Sequence, residues 1–240
     1  MKIATLNIDW FKKSKAIQTL IKEEIRKQDV DFLVVTENIK SFQFDDKYFA
    51  YHSTPIPTDK EFQYLNYGEY LKGETPVRTS IYSKHKSIEQ LNVVDAYTSI
   101  CHKFLVDENE IVIYGTIIGT YGIIKQTEIA KPELDNFKTD IQNISLSNEN
   151  IFIAGDLNTS FIPEEKRQLS KIDSRDEIVN FTNSLHIQRK TEAIENNIDH
   201  IFVSQKLNQQ TQIEPFIFLD DNALKDAPHK GILLNVKFIH

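Results

Sequence analysis

Short β-branched and aliphatic runs, each bounded by an abrupt polar side chain, recur along this 240-residue chain. Residues 2–7 end at Asn7, residues 31–36 run into Glu37, and residues 151–154 run into Gly155-Asp156-Leu157-Asn158. Two further runs are preceded by their polar groups: Asp199-His200 stands before Ile201-Phe202-Val203, and His229-Lys230-Gly231 stands before Ile232-Leu233-Leu234. Unbroken apolar runs of this length are expected of strands covered on both faces, so sheets with a layer on either side are the main constraint on the fold. The intervening segments supply those layers. Ser14 is a plausible N-cap for a helix carrying Ile17, Leu20, Ile21 and Ile25 on one face. Leu134, Phe137, Ile141 and Ile144 mark a second helix, with Pro132 tolerable in its first turn. A capping box from Ser174 to Glu177 opens a third, with Ile178, Phe181, Thr182 and Leu185 on its stripe.

Between them, the runs 79–83, 88–94, 99–106 and 111–118 read as an antiparallel meander with a turn at 107–110, and strands around 198–203, 213–218 and 232–238 close the chain. The predicted class is α/β, with sheets packed face to face and helices outside. Seven glycines and seven prolines spread over the chain leave no linker, so residues 1–240 are expected to form a single domain.

Lys and Arg total 28 against 35 Asp and Glu, a net charge of -7, which argues against a protein that coats nucleic acid by counterion release. An enzyme gripping a few phosphates locally is still permitted. Cys101 has no partner for a disulfide and is expected in the core. No apolar run reaches the roughly eighteen residues of a membrane helix, and no signal peptide is recognisable, so a cytoplasmic location is expected.

Taken singly, each strand-end group has an ordinary use. Asn7 can bond its own backbone, Glu37 can be a solvated loop carboxylate, Gly155-Asp156 can be a turn, Asp199 can cap one, and His229 can be a surface or core histidine. Their order and types are more specific together. Lys2-Ile-Ala-Thr-Leu-Asn7, Val34-Val-Thr-Glu37, Gly155-Asp-Leu-Asn158, Ile198-Asp-His-Ile201 and a histidine before the last strand resemble the signature of the endonuclease/exonuclease/phosphatase superfamily, over essentially the whole chain.

The resemblance implies a DNase I-like four-layer α/β sandwich of two mixed, mostly antiparallel sheets. It also implies a magnesium-dependent phosphodiester hydrolase, with manganese as a possible substitute. Glu37 and Asn7 would serve the metal, and Asp199 would support both metal and phosphate. Asp156 would orient or deprotonate water, Asn158 would hold the phosphoryl group, and His229 would stabilise transition-state charge. His200 would be supporting or structural. The chemistry is reasonable, since magnesium is a hard cation held by carboxylates and water, and no Cys/His cluster suggests zinc.

Two positions depart from the family pattern. Pro228 stands where an aspartate usually precedes the histidine, leaving Asp226, three residues upstream, as a candidate to orient the ring. Ile117 stands where relatives carry His or Tyr on the central strand, with Tyr121 a candidate substitute or an aromatic packed over the sheet edge. Aromatic residues crowd the region 41–70 (Phe42, Phe44, Tyr48, Phe49, Tyr51, Phe62, Tyr64, Tyr67, Tyr70), ahead of Arg78, a candidate substrate contact. Most are expected to pack and anchor loops, and some could stack bases. Nucleic acid or a nucleotide-like phosphodiester is the expected substrate. A phosphatase or phospholipase-type hydrolase acting on inositol phosphate or sphingomyelin is the enzymatic alternative, and a non-catalytic phosphate binder the other.

Overall fold

The computed structural model of the chain describes residues 1–56, 73–120, 126–165, 172–224 and 229–239. Its described residues form two six-stranded sheets. β1 (Lys2–Asn7), β2 (Phe32–Ile39), β3 (Phe49–His52) and β4 (Pro76–Ser83) are joined by β11 (Thr211–Leu219) and β12 (Gly231–Phe238), in the order β11-β12-β1-β2-β4-β3. The second sheet has the order β5-β6-β7-β8-β10-β9, from β5 (Ser87–Leu91), β6 (Ser99–Val106), β7 (Asn109–Ile117), β8 (Ile151–Asp156), β9 (Gln188–Arg189) and β10 (Asp199–Val203). Each sheet holds one parallel pair in an otherwise antiparallel array, β1 beside β2 and β7 beside β8. This is the mixed, mostly antiparallel sandwich expected from the sequence.

Period-two alternation builds the layers. Ile3, Phe32, Val34 and Ile81 of the first sheet meet Ile100, Phe104, Ile113, Phe152 and Ile201 of the second in the central core. The alternate residues Ala4, Leu6, Leu33 and Val35 face outward under Ile21 and Ile25 of α1 (Lys15–Gln28). On the other side, Val112, Tyr114, Ile151 and Ile153 carry Leu134, Phe137, Ile141 and Ile144 of α2 (Lys131–Ser145) and Ile178 of α3 (Ile172–Ser184). Among the described residues, short helices α4 (Gln205–Gln210) and α5 (Asp221–Leu224) follow later in the chain. Ser14 does cap α1, its Oγ accepting from Ile17 N–H at 3.4 Å, and Pro132 sits in the first turn of α2. Cys101 is buried and unpaired, as expected.

Three local expectations change. Helix α3 begins two residues before Ser174, so that serine lies inside the first turn and is not the cap. Strand β4 starts at Pro76, three residues ahead of the predicted 79, since a proline is tolerated as the first residue of a strand. β3 went unpredicted: Phe49 and Ala50 are exposed on a sheet edge, so no apolar alternation announces it. In the aromatic region, Phe42, Phe44 and Tyr48 are core residues and Phe49 is exposed, while Phe62, Tyr64, Tyr67 and Tyr70 lie outside the described residues.

Of the described glycines, the tightest setting is where β7 and β8 pair. Gly155 has φ 146°, and a Cβ there would fall 1.8 Å from the carbonyl oxygen of Thr116. Only glycine lets β8 run this close to β7 just before Asp156. Gly155→Ala is therefore expected to lose about 3 kcal/mol or more of stability. Urea unfolding measures this, and an unshifted midpoint would show that the strand contact yields without cost.

Candidate active site

The carboxyl ends of β1, β2 and β8 and the amino end of β10 meet at one end of the sandwich. Asn7, last in β1, donates from Nδ2 to Asp156 Oδ2 across the two sheets at 2.9 Å. Its Oδ1 accepts the Asp9 N–H at 2.9 Å, which fixes the amide plane. In-sheet register brings up the neighbours: Asn7 stands beside Thr36, one residue short of Glu37, and Asp156 stands opposite Asp199. His229 precedes β12, the neighbour of β1, and its Nδ1 lies 3.0 Å from Asp199 Oδ2. The Lys230 N–H donates to the same oxygen at 3.2 Å.

Backbone conformation helps aim these groups. Glu37 has φ 53° and Asn158 φ 49°, both left-handed and uncommon outside glycine. At Glu37 the ladder passes from Thr36 opposite Thr79 to Asn38 opposite Val77, so Glu37 and Arg78 face one another without a ladder pair. At Asn158 the turn lets its N–H donate to Asp156 Oδ1 at 2.8 Å, while its Nδ2 donates to the Ile118 carbonyl at 2.8 Å. Both carboxylate oxygens of Asp156 are thus held by donors.

The electrostatics follow from burial. Asp156 is 1% exposed, and desolvation lifts its pKa to about 7. The charge on His229 pulls it down, and the negative charges of Asp199 and Glu37 push it up further. For His229, burial alone would lower the imidazole pKa. The hydrogen-bonded Asp199 carboxylate, with Asp156 and Glu37, overrides that and raises it to about 10. At neutral pH the imidazole is a cation with Nδ1–H committed to Asp199, leaving Nε2–H as its other donor.

Nearest ligand atoms of Asp156, Asp199 and His229 lie within 4.8 Å of one another. His229 Nδ1 is committed to Asp199, so this trio is described as an acid–base cluster whose carboxylates, more than its ring, are suited to a cation. The carboxylate oxygens do suit a hard cation. Asp199 is fully buried, and its Oδ1 has no hydrogen-bond partner, a costly arrangement unless something positive is bound there. Glu37 is close enough for its charge to be felt at both Asp156 and His229.

The other candidate residues take different places. His200 faces the outer layer, 1% exposed, with Nε2 2.9 Å from the Thr159 carbonyl and Nδ1 3.0 Å from Thr191 Oγ1. Burial lowers its pKa to about 4, so it is neutral and anchors the loop that follows Asn158. Arg78 is 3% exposed and ion-paired with Glu133 at 2.7 Å, so its guanidinium is turned into the fold and not presented for stacking. Ile117, 3% exposed, lies beside Asp156 and offers only packing. Tyr121, Asp226 and Pro228 lie outside the described residues. Asp199, from a different strand, makes the ring contact for which Asp226 was a candidate.

Sequence reasoning passed over Asp9, 4% exposed and joined to Asn7, although Asn7-Ile8-Asp9 repeats the two-residue spacing of Asp156-Leu157-Asn158. It also missed Glu133, for which a helix carboxylate offers no local signal.

No protein-family model matches the sequence, and no curated protein matches it. Solved structures do match in fold. The 3′-5′ exonuclease NExo from Neisseria meningitidis is similar at 13% identity with a TM-score of 0.69, covering 99% of this chain and all of that one. The endonuclease domain of TRAS1, a telomere-specific non-LTR retrotransposon, is similar at 12% identity and TM-score 0.67, with 99% and 98% covered. An AP endonuclease from Archaeoglobus fulgidus is similar at 14% identity and TM-score 0.65 over the full length of both. The fold is therefore the DNase I-like fold that these solved structures share, as the strand-end motifs implied.

The two raised pKa values also link stability to pH. Folded His229 holds its proton up to about pH 10, whereas an unfolded histidine releases it near 6.5, so its contribution is full below 6.5 and is lost as pH rises through 10. Asp156 acts in the same direction between its ordinary value of 3.8 and about 7, because the folded state again binds more protons. Without divalent cation, the melting temperature should fall from about pH 6.5 towards 10, and His229→Ala should flatten that fall. An equal slope in the variant would remove His229 as its source.

Proposed function

We propose that the chain is a cytoplasmic, divalent-metal-dependent phosphodiester hydrolase acting on nucleic acid or a nucleotide-like ester. The observation that carries the reading is one charged arrangement: the Asp199–His229 pair beside Asp156, at strand ends where buried oxygens outnumber cations. A phosphodiester must have its charge neutralised and a water positioned and deprotonated before it yields to attack.

Each task has a residue of suitable character. Asp156, held at both oxygens by Asn7 and Asn158, has a pKa near the working pH, where a carboxylate is an effective general base towards water. His229 offers Nε2–H and a full positive charge to a non-bridging oxygen as negative charge accumulates, while Asp199 keeps the ring oriented and protonated. Asn158, with its backbone bent and its amide tethered to Ile118, is assigned to the phosphoryl group. Water then attacks in line with the leaving oxygen. Glu37 and the bare Asp199 oxygen are the groups proposed to hold magnesium, or manganese in its place, with Asn7 at their margin. When bound, such a cation supplies charge neutralisation at the phosphate and lowers the pKa of water.

Support for nucleic acid comes from proteins with this fold, which include an exonuclease and two endonucleases. A second reading has support of the same kind, because NExo bound to a product DNA hairpin is described as a 3′ phosphatase. Phosphomonoesters therefore belong in the substrate panel beside single-stranded DNA, duplex DNA, RNA, inositol phosphates and sphingomyelin.

The decisive assay is hydrolysis of bis(p-nitrophenyl) phosphate with magnesium. Turnover should vanish in EDTA and fall about 100-fold or more in Asp156→Ala. Glu37→Gln should raise the magnesium concentration giving half-maximal rate, and His229→Ala should lower kcat more than it raises KM. A folded protein that binds magnesium yet hydrolyses no phosphoester would be a phosphate binder, and the hydrolase assignment would be wrong.

A further inference from the structure

Arg78 and Glu133 form a buried ion pair that the chemistry above does not employ. Arg78 Nη1 donates to Glu133 Oε1 at 2.7 Å, and the two side chains are 3% and 5% exposed. Arg78 Nη2 donates to Thr120 Oγ1, and the second oxygen of Glu133 accepts the Thr120 N–H at 2.8 Å. A strand of one sheet, the segment after β7 of the other, and the first turn of α2 are thereby closed into a ring around Thr120. Replacing such a pair with apolar groups of similar volume is often neutral or stabilising, so stability is a weak reason for its presence; fixing one arrangement over others is a better one.

The arrangement fixed is the rim on which Asn158 is mounted. Thr120 lies two residues from Ile118, whose carbonyl accepts from Asn158 Nδ2 and whose N–H donates to the Asp156 carbonyl at 3.0 Å. Between them is Gly119, with φ 79°, a left-handed joint without a side chain to brace it. Strand pairing secures the Ile118 side of this joint, and the Arg78–Glu133 ring secures the far side.

We infer that Arg78 and Glu133 are positioning residues: acting through Thr120, they hold the Ile118 carbonyl and thereby set the amide plane of Asn158 against the phosphoryl group. The catalytic part of this inference rests on the hydrolase reading above. Neither residue touches substrate in it, which assigns Arg78 a different role from the substrate contact expected from sequence.

Two readouts test it. In ¹⁵N-labelled protein, the Asn158 side-chain amide signals, assigned by their loss in Asn158→Ala, should shift and exchange faster with solvent in Glu133→Gln. They should do the same in the double variant Arg78→Met/Glu133→Leu, which leaves neither charge buried alone, with folding checked by thermal melting. Unchanged amide signals in either folded variant would overturn the inference. On bis(p-nitrophenyl) phosphate, kcat should fall about 10- to 100-fold with little change in KM, the scale expected for a small misplacement of a reacting group. In an Asn158→Ala background the same substitutions should add less than about two-fold, because the group they position is gone. Effects that multiply in that background would also overturn it. If the wild-type protein turns over no phosphoester, the hydrolase reading fails alone, and the amide signals still decide whether the ring positions Asn158.

Discussion

Buried negative charge at the strand ends is the constraint around which this protein is arranged. Asp156 and Asp199 are 1% and 0% exposed and stand opposite one another on adjacent strands, with Glu37 close enough to influence the site. Burying one carboxylate costs several kcal/mol after relaxation, and two like charges cost more unless a cation or a proton intervenes. His229 supplies one cation and so cannot neutralise the group. The residual imbalance shows in the raised pKa of Asp156 and in the unpartnered oxygen of Asp199. A site of this kind is poorly suited to stability and well suited to attracting a divalent ion.

The topology explains how such charges come to be adjacent. Each sheet contains one parallel pair, linked by a helix that returns the chain to the same end, and the ends of β1, β2 and β8 therefore project together. Antiparallel strands flank these pairs and bring Asp199 and His229 to that end from the opposite chain direction. Strand interiors are mostly occupied by packing, so the site's charged groups stand at or near strand ends. Local strain collects there too, in the left-handed backbone of Glu37 and Asn158 and in the near-contact at Gly155. The packed sheets beneath are what hold these conformations in place.

This division of labour also decides what the sequence could reveal. Strands buried on both faces and helices with a single apolar stripe carry their pattern in the chain, so β1, β2, β8, α1 and α2 were legible. So were the polar residues at their ends, because an abrupt change from Val-Val-Thr to Glu37, or from Ile-Ala to Gly155-Asp156, is itself a signal. Edge strand β3 lacked the signal because half of it faces solvent. Partnerships were least legible. Nothing local links Arg78 to Glu133, 55 residues away, or makes Asp199 the partner of His229 in preference to Asp226, which is much nearer in sequence. Such pairs exist only after the sheets have assembled.

A general base and a metal ligand make opposite demands on a carboxylate, and in the proposed hydrolase the hydrogen bonds at this site would separate the two roles. A base gains from a pKa near that of its working solution, while a bound cation would depress it. Asp156 has both oxygens engaged by neutral N–H donors, from Asn7 and from the Asn158 backbone, which orient it without adding charge. Asp199 has one oxygen on an imidazolium and the other bare, and Glu37 stands on β2 of the opposite sheet with its backbone bent out of the ladder. Positive charge is therefore better accommodated at Asp199 and Glu37 than directly on Asp156. In the proposed hydrolase, this arrangement would keep Asp156 basic enough to take a proton from water while the surrounding charge is neutralised through its neighbours.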